Sequence, residues 1–140
     1  MGLLVDLKLA ADNIAKEFSD LGYRADYSVE SLQDVDRFFE QNVHASKPSP
    51  GAQITEATIG KWVFGSGAYL GEVLVRLYGG SWRVDDSDPK AAISAEVVFP
   101  SGARVWPIQR VAKRYRQGSE CDIYHFALAL SQYATTKKNG

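Results

Sequence analysis

From Ile59 to Tyr78 one apolar arc keeps its phase for the whole segment, and it does so through four glycines. With each residue turned by about 100°, Ile59, Val63, Leu70, Val73, Leu74 and Leu77 fall on one side. Thr58, Lys61, Glu72 and Arg76 fall on the other. A loop at residues 64–67 would have no reason to preserve helical phase across itself. The pattern therefore predicts one long helix, with Gly65 the place where it would kink. Gly60, Gly67 and Gly71 form a narrow stripe inside the arc. Each costs about 1 kcal/mol relative to alanine in a helix interior, which close approach of a neighbouring element would offset.

The same stretch, "GSGAYLGEVL", invites a dinucleotide-binding reading, because Asp85 lies twenty residues beyond Gly65. That fingerprint needs a strand before it, a helix after it and a G-x-G-x-x-G spacing. Leu70 holds the position of the third glycine, and Gly71 comes one residue late. Asp85 stands at a tight turn, where aspartate is common for local reasons. A helix-packing stripe is the better reading.

Around this helix the chain divides into two patterns. Leu4, Leu7, Ala11, Ile14, Phe18 and Leu21 predict an amphipathic helix over 3–21, ended by Gly22 at C′. Ser28 is placed to cap a second helix, with Tyr27 and Leu32 as its hydrophobic staple and Leu32, Val35, Phe38 and Phe39 as its apolar side. Residues 43–53 read as a loop from their Pro, Ser and Gly content. After Gly79–Gly80 the period changes to two. Ser81–Asp86, Ala91–Pro100 and Ala103–Trp106 read as three strands joined by short turns, hence an antiparallel meander. Pro107 opens a helix carrying Ile108, Val111, Ala112 and Tyr115, and Gly118 closes it. Ser119 and Asp122 start a last helix with Ile123, Phe126, Ala127 and Leu130 as its stripe. The expected fold is α+β. N-terminal helices and the long glycine-containing helix pack on a three-stranded antiparallel meander, followed by two C-terminal helices, in a single domain over 1–140 with frayed ends at 1–2 and 135–140.

Charge is polarised along the chain. Residues 1–50 hold five Lys/Arg against nine Asp/Glu, a balance of −4, and the remainder holds eleven against eight, a balance of +3. A nucleic-acid binder normally carries a larger basic excess. No apolar run approaches the roughly 20 residues of a membrane span, and the first residues lack the basic start and cleavage site of a signal peptide. One cysteine excludes an internal disulfide and a cysteine-based zinc cluster. The expected setting is cytoplasmic, with no cofactor and no metal.

Three sets of residues exceed packing. Arg110, Lys113, Arg114 and Arg116 crowd one helix, with Arg104 and Trp106 nearby, and predict contact with an acidic protein surface, the chain's own N-terminal helices included. Cys121 and His125, four apart, would share one side of the last helix as a thiol–imidazole pair or half a metal site; a partly buried second face is the simpler account. Glu72 would pair with Arg76 along the helix, or reach a cleft near Trp82 or Arg104. Trp62, Trp82 and Trp106 read as core or interface anchors, with Trp82 sealing the sheet against the long helix. "DDSD" lacks the Gly and terminal Glu of a calcium loop.

The sequence Ala68-Tyr69-Leu70-Gly71-Glu72-Val73, then Gly79-Gly80-x-Trp82, then Pro107 and Val111-Ala112-Lys113-Arg114, resembles a family of small uncharacterised bacterial α+β proteins. The resemblance spans about residues 59–118. It implies a glycine-containing helix beside a short sheet, with Glu72, Trp82, Lys113 and Arg114 in any shared site, and it carries no activity. The expected function is a non-enzymatic protein-interaction module of immunity or regulatory type; neither monomer nor homodimer is favoured. Two alternatives stand beside it: a small-molecule-binding or hydrolytic domain with Glu72 in a cleft, and an RNA-associated protein using the basic helix 107–117.

Overall fold

A computed structural model of the chain describes residues 2–134, so the expected fraying at residue 1 and at 135–140 lies outside the described residues. The first helix, α1 (Leu3–Asp20), ends as its sequence requires. Gly22 has φ 88°, its N–H donates to the Ser19 carbonyl at 3.0 Å, and the Tyr23 N–H reaches back to Phe18 at 2.9 Å. This is a Schellman closure, and the Tyr23 and Phe18 rings meet across it. Regular helix α2 (Ser31–Asn42) begins two residues later than a cap at Ser28 suggests. The Ser28 hydroxyl nevertheless accepts from the Ser31 N–H at 3.1 Å, so it caps the tight turn that leads into the helix.

Residues 43–53 are not all loop. β1 (Val43–His44) and β2 (Lys47–Pro48) form a two-stranded antiparallel hairpin. Its turn places Ala45 at φ 51° and Ser46 at φ 65°, a backbone that Asn and Gly usually supply. Neither residue advertises it. The Ser46 hydroxyl donates to the carbonyl of Arg116 far along the chain, which ties the hairpin down.

The long helix forms as the apolar phase predicts. α3 (Ile59–Tyr78) is unbroken through Gly65–Gly67, and Gly79 ends it at φ 76°. Its first half meets α1 and α2 in an aromatic cluster. Phe38 stands 4.6 Å from Trp62 and 5.1 Å from Phe18 between ring centroids. Pairs of this kind contribute about 0.5–1.5 kcal/mol each beyond burial. Three glycines admit close neighbours. A Cβ at Gly65 would meet the Ile14 side chain at 3.0 Å, one at Gly67 the Ile108 Cα at 2.6 Å, and one at Gly71 the Trp82 ring at 2.0 Å. The expected stripe is thus corrected at one end: Gly60 faces open space, and Gly65 takes its place against α1.

Beyond α3 come β3 (Ser81–Arg83), the helical turn α4 (Ala91–Ser94), β4 (Glu96–Val98) and β5 (Arg104–Val105). The strands form an antiparallel sheet in the order β3-β4-β5, with Trp82 opposite Val97 and Val97 opposite Val105. The strands are shorter than expected, and residues 91–94 are helical rather than extended. Asp88 decides this locally: its carboxylate accepts from the Lys90 N–H at 2.8 Å, and its carbonyl from the Ala91 N–H at 3.0 Å. Those bonds turn the two alanines into a helical turn. α5 (Pro107–Gln117) then runs from Pro107 to Gly118 as read from the sequence. A 3₁₀ turn (Gly118–Cys121) precedes α6 (Ile123–Ala129) and the short α7 (Ser131–Ala134). The fold is α+β, with one core shared by α1, α2, α3, the three-stranded sheet, α5 and α6.

Candidate functional site

α5 presents two different charged surfaces. Its inner one is built around Arg114, which is only 3% exposed. The guanidinium donates through Nε to Asp36 Oδ1 at 3.1 Å, and through one terminal nitrogen to the Asp36 carbonyl at 3.1 Å and Glu40 Oε2 at 3.3 Å. Asp36 in turn accepts the backbone N–H groups of Ile123 and Tyr124, at 2.8 and 2.9 Å, and so caps α6 from another helix. A carboxylate at a helix N-terminus is favoured by the unpaired N–H groups and the helix dipole. Burial pushes the Asp36 carboxyl above its ordinary range, against the pull of those two N–H groups and Arg114. Arg114 is therefore removed from the expected partner-binding set. It meets acidic residues of the chain's own α2, the intramolecular form of the acidic contact expected from sequence.

The outer surface of α5 lines an open groove of about 750 Å³. Val63, Ile93, Val105, Ile108 and Phe126 supply apolar lining, and Trp106 stands beside them. Ile93 is 53% and Trp106 41% exposed, a large apolar display for side chains of this size. Arg104, Arg110, Lys113 and Arg116 are the charged lining residues, and no carboxylate is among them. Arg104 has one acidic neighbour, Glu96 at 3.3 Å. Arg110 lies over the Phe126 ring, 4.4 Å from its centroid, and its Nε is buried without a partner. Lys113 and Arg116 form no ion pair among the described residues. A second apolar groove, about 460 Å³, adjoins along Ile59, Phe64 and Tyr115.

The other expected sites come apart. Helix α6 starts at Ile123, so Cys121 lies in the preceding 3₁₀ turn and the four-residue spacing never acts on one helix. Cys121 is buried with its thiol against Gln117 Oε1 at 3.3 Å, while the His125 side chain is 76% exposed beside Asp122. They form no pair. Glu72 likewise does not pair with Arg76. The Trp82 ring fills the space left by Gly71, and its indole N–H donates to Glu72 at 2.8 Å. Arg76 instead lies over the Tyr27 ring, 3.7 Å from its centroid. Glu72 lines neither of the two grooves along α5.

Ile93, Phe126 and Asp36 complete this region without having been singled out from sequence. Ile93 reads as a strand residue, Phe126 as part of a core stripe, and Asp36 as one acid among several. Only the excess of acids over bases in the first fifty residues hinted at a partner for Arg114. No protein-family profile, no curated protein sequence and no solved structure matches this chain. No helix among the described residues is long and apolar enough to cross a membrane.

Proposed function

We propose that the protein is a non-enzymatic interaction module that docks an acidic, partly apolar segment of another protein in the groove along α5. One observation carries this reading: four cations and no carboxylate line a groove whose floor is apolar and partly exposed. Apolar contact supplies area, and the cations select for negative charge and steer encounter. The immunity or regulatory type belongs to the same class, because such proteins act by occupying a partner's surface. An RNA role is less well supported. Sequence-tolerant binding of single strands uses several exposed aromatic platforms, whereas here Arg110 covers Phe126 and leaves Trp106 as the exposed ring of the groove.

A synthetic peptide of alternating glutamate and valine residues, titrated by calorimetry, tests the reading. It should bind, weaken with added salt, and lose at least about tenfold in affinity in the double variant K113E/R116E. The same peptide with lysine for glutamate should not bind. Equal affinity for wild type and double variant would sink the proposal.

A further inference from the structure

The groove has a strand for one wall. β5 is the outer strand of its sheet, and Arg104, Val105 and Trp106 all line the groove. In an antiparallel pair, residues that exchange ladder bonds alternate with residues that do not. The Phe99 N–H donates to the Ala103 carbonyl at 2.9 Å, beside the turn. Two residues on, the pair Val97–Val105 takes the next ladder bonds, and Val98–Arg104 is the pair that exchanges none. The N–H and C=O of Arg104 therefore point away from β4, toward the open edge. Trp106 continues the extended backbone, with φ −118° and ψ 87°. Its N–H shares the outward direction, while its carbonyl accepts from the Arg110 N–H at 3.0 Å. Neither outward N–H meets an acceptor among the described residues.

An N–H and C=O on one residue, followed by an N–H two residues later, is the repeat that an added strand engages. We propose that the acidic partner segment binds in extended form, as a fourth strand on the free edge of β5. This rests on the docking function proposed above and specifies its geometry. Alternate side chains of an extended segment face opposite ways, so apolar residues can meet the groove floor while carboxylates meet Arg104, Arg110 or Lys113. The edge itself, Arg104 to Trp106, is three residues or about 10 Å of strand, so a short segment suffices to engage it. Charge also selects the occupant. A cationic side chain on a short edge discourages pairing with another copy of the same edge, but it does not repel an acidic segment.

The alternating glutamate–valine peptide again serves as the probe, now with amide hydrogen exchange read residue by residue. Strand addition expects the Arg104 and Trp106 amides to slow by at least about tenfold when the peptide is bound. The same peptide N-methylated on alternate residues should lose binding. Arg104→Pro removes an N–H that meets no protein acceptor among the described residues, a change an edge strand tolerates; it should abolish binding, whereas Arg104→Gln weakens it only through charge. Thermal unfolding checks that both variants fold. If the peptide binds, depends on Lys113 and Arg116, and leaves both amides unprotected, docking stands and strand addition is wrong. Failure of the peptide to bind at all would overturn both.

Discussion

Lys113 faces the open groove of α5 with no ion-pair partner among the described residues, whereas Arg114, one residue later, is enclosed by Asp36 and Glu40 of α2. The two look equivalent in a basic run, yet 100° of helical turn separates a solvated cation from a structural one. Arg114 holds Asp36, and Asp36 holds the first turn of α6, so one side of α5 organises the C-terminal helices while the other is left available. A cluster of like charges is thus not a patch until the fold has claimed its share.

Removing each cation should separate the two surfaces most sharply. Arg114→Met leaves Asp36 buried without its partner and is expected to cost roughly 3 kcal/mol of stability, read as a lower urea midpoint. Lys113→Met should stay within about 0.5 kcal/mol of wild type. Similar losses for both would erase the distinction. Packing of α5 against α3 gives a second, smaller contrast. Gly67→Ala drives a methyl to 2.6 Å from the Ile108 Cα and should destabilise by about 1–3 kcal/mol. Gly60→Ala meets open space in the same helix and should stabilise, by up to about 1 kcal/mol.

The smallest effect concerns an acid outside this region. Hydrogen bonds from Ser28, then the Arg24 side chain, lower the Asp26 pKa from 3.8 to about 2. A lowered folded-state value means the contribution is complete above about pH 4 and is lost as pH falls toward 2. Exposure keeps it small. Asp26→Asn should flatten that part of the acid limb in pH-dependent thermal melts, whereas Lys113→Met should leave its slope unchanged.

The long helix was legible because twenty residues of periodic burial outweigh four glycines, and α5 because Pro107 and Gly118 mark its ends. The hairpin at Val43–Pro48 was not, since Ala45 and Ser46 carry no preference for the backbone they adopt. Residues 91–94 alternate too weakly to resist the turn set by Asp88. At the site, the cations and Trp106 could be read as a group, because one helix and the residues before it carry them. An intramolecular acidic contact was among the expectations, but which cation would make it was not legible, because Asp36 lies 78 positions away in sequence. Cys121 and His125 failed for a local reason: a 3₁₀ turn takes the residues on which the helical spacing depended.

The three tryptophans occupy three distinct surroundings. Trp62 is enclosed in the aromatic core, Trp82 is half-buried with its N–H on Glu72, and Trp106 stands open in the groove. Their emission should therefore separate by polarity and by access to a collisional quencher such as iodide, with Trp106 quenched first. A label-free optical signal is thus built into the groove itself: shielding of the red-edge emission reports occupancy, while the blue component reports whether the core is still intact.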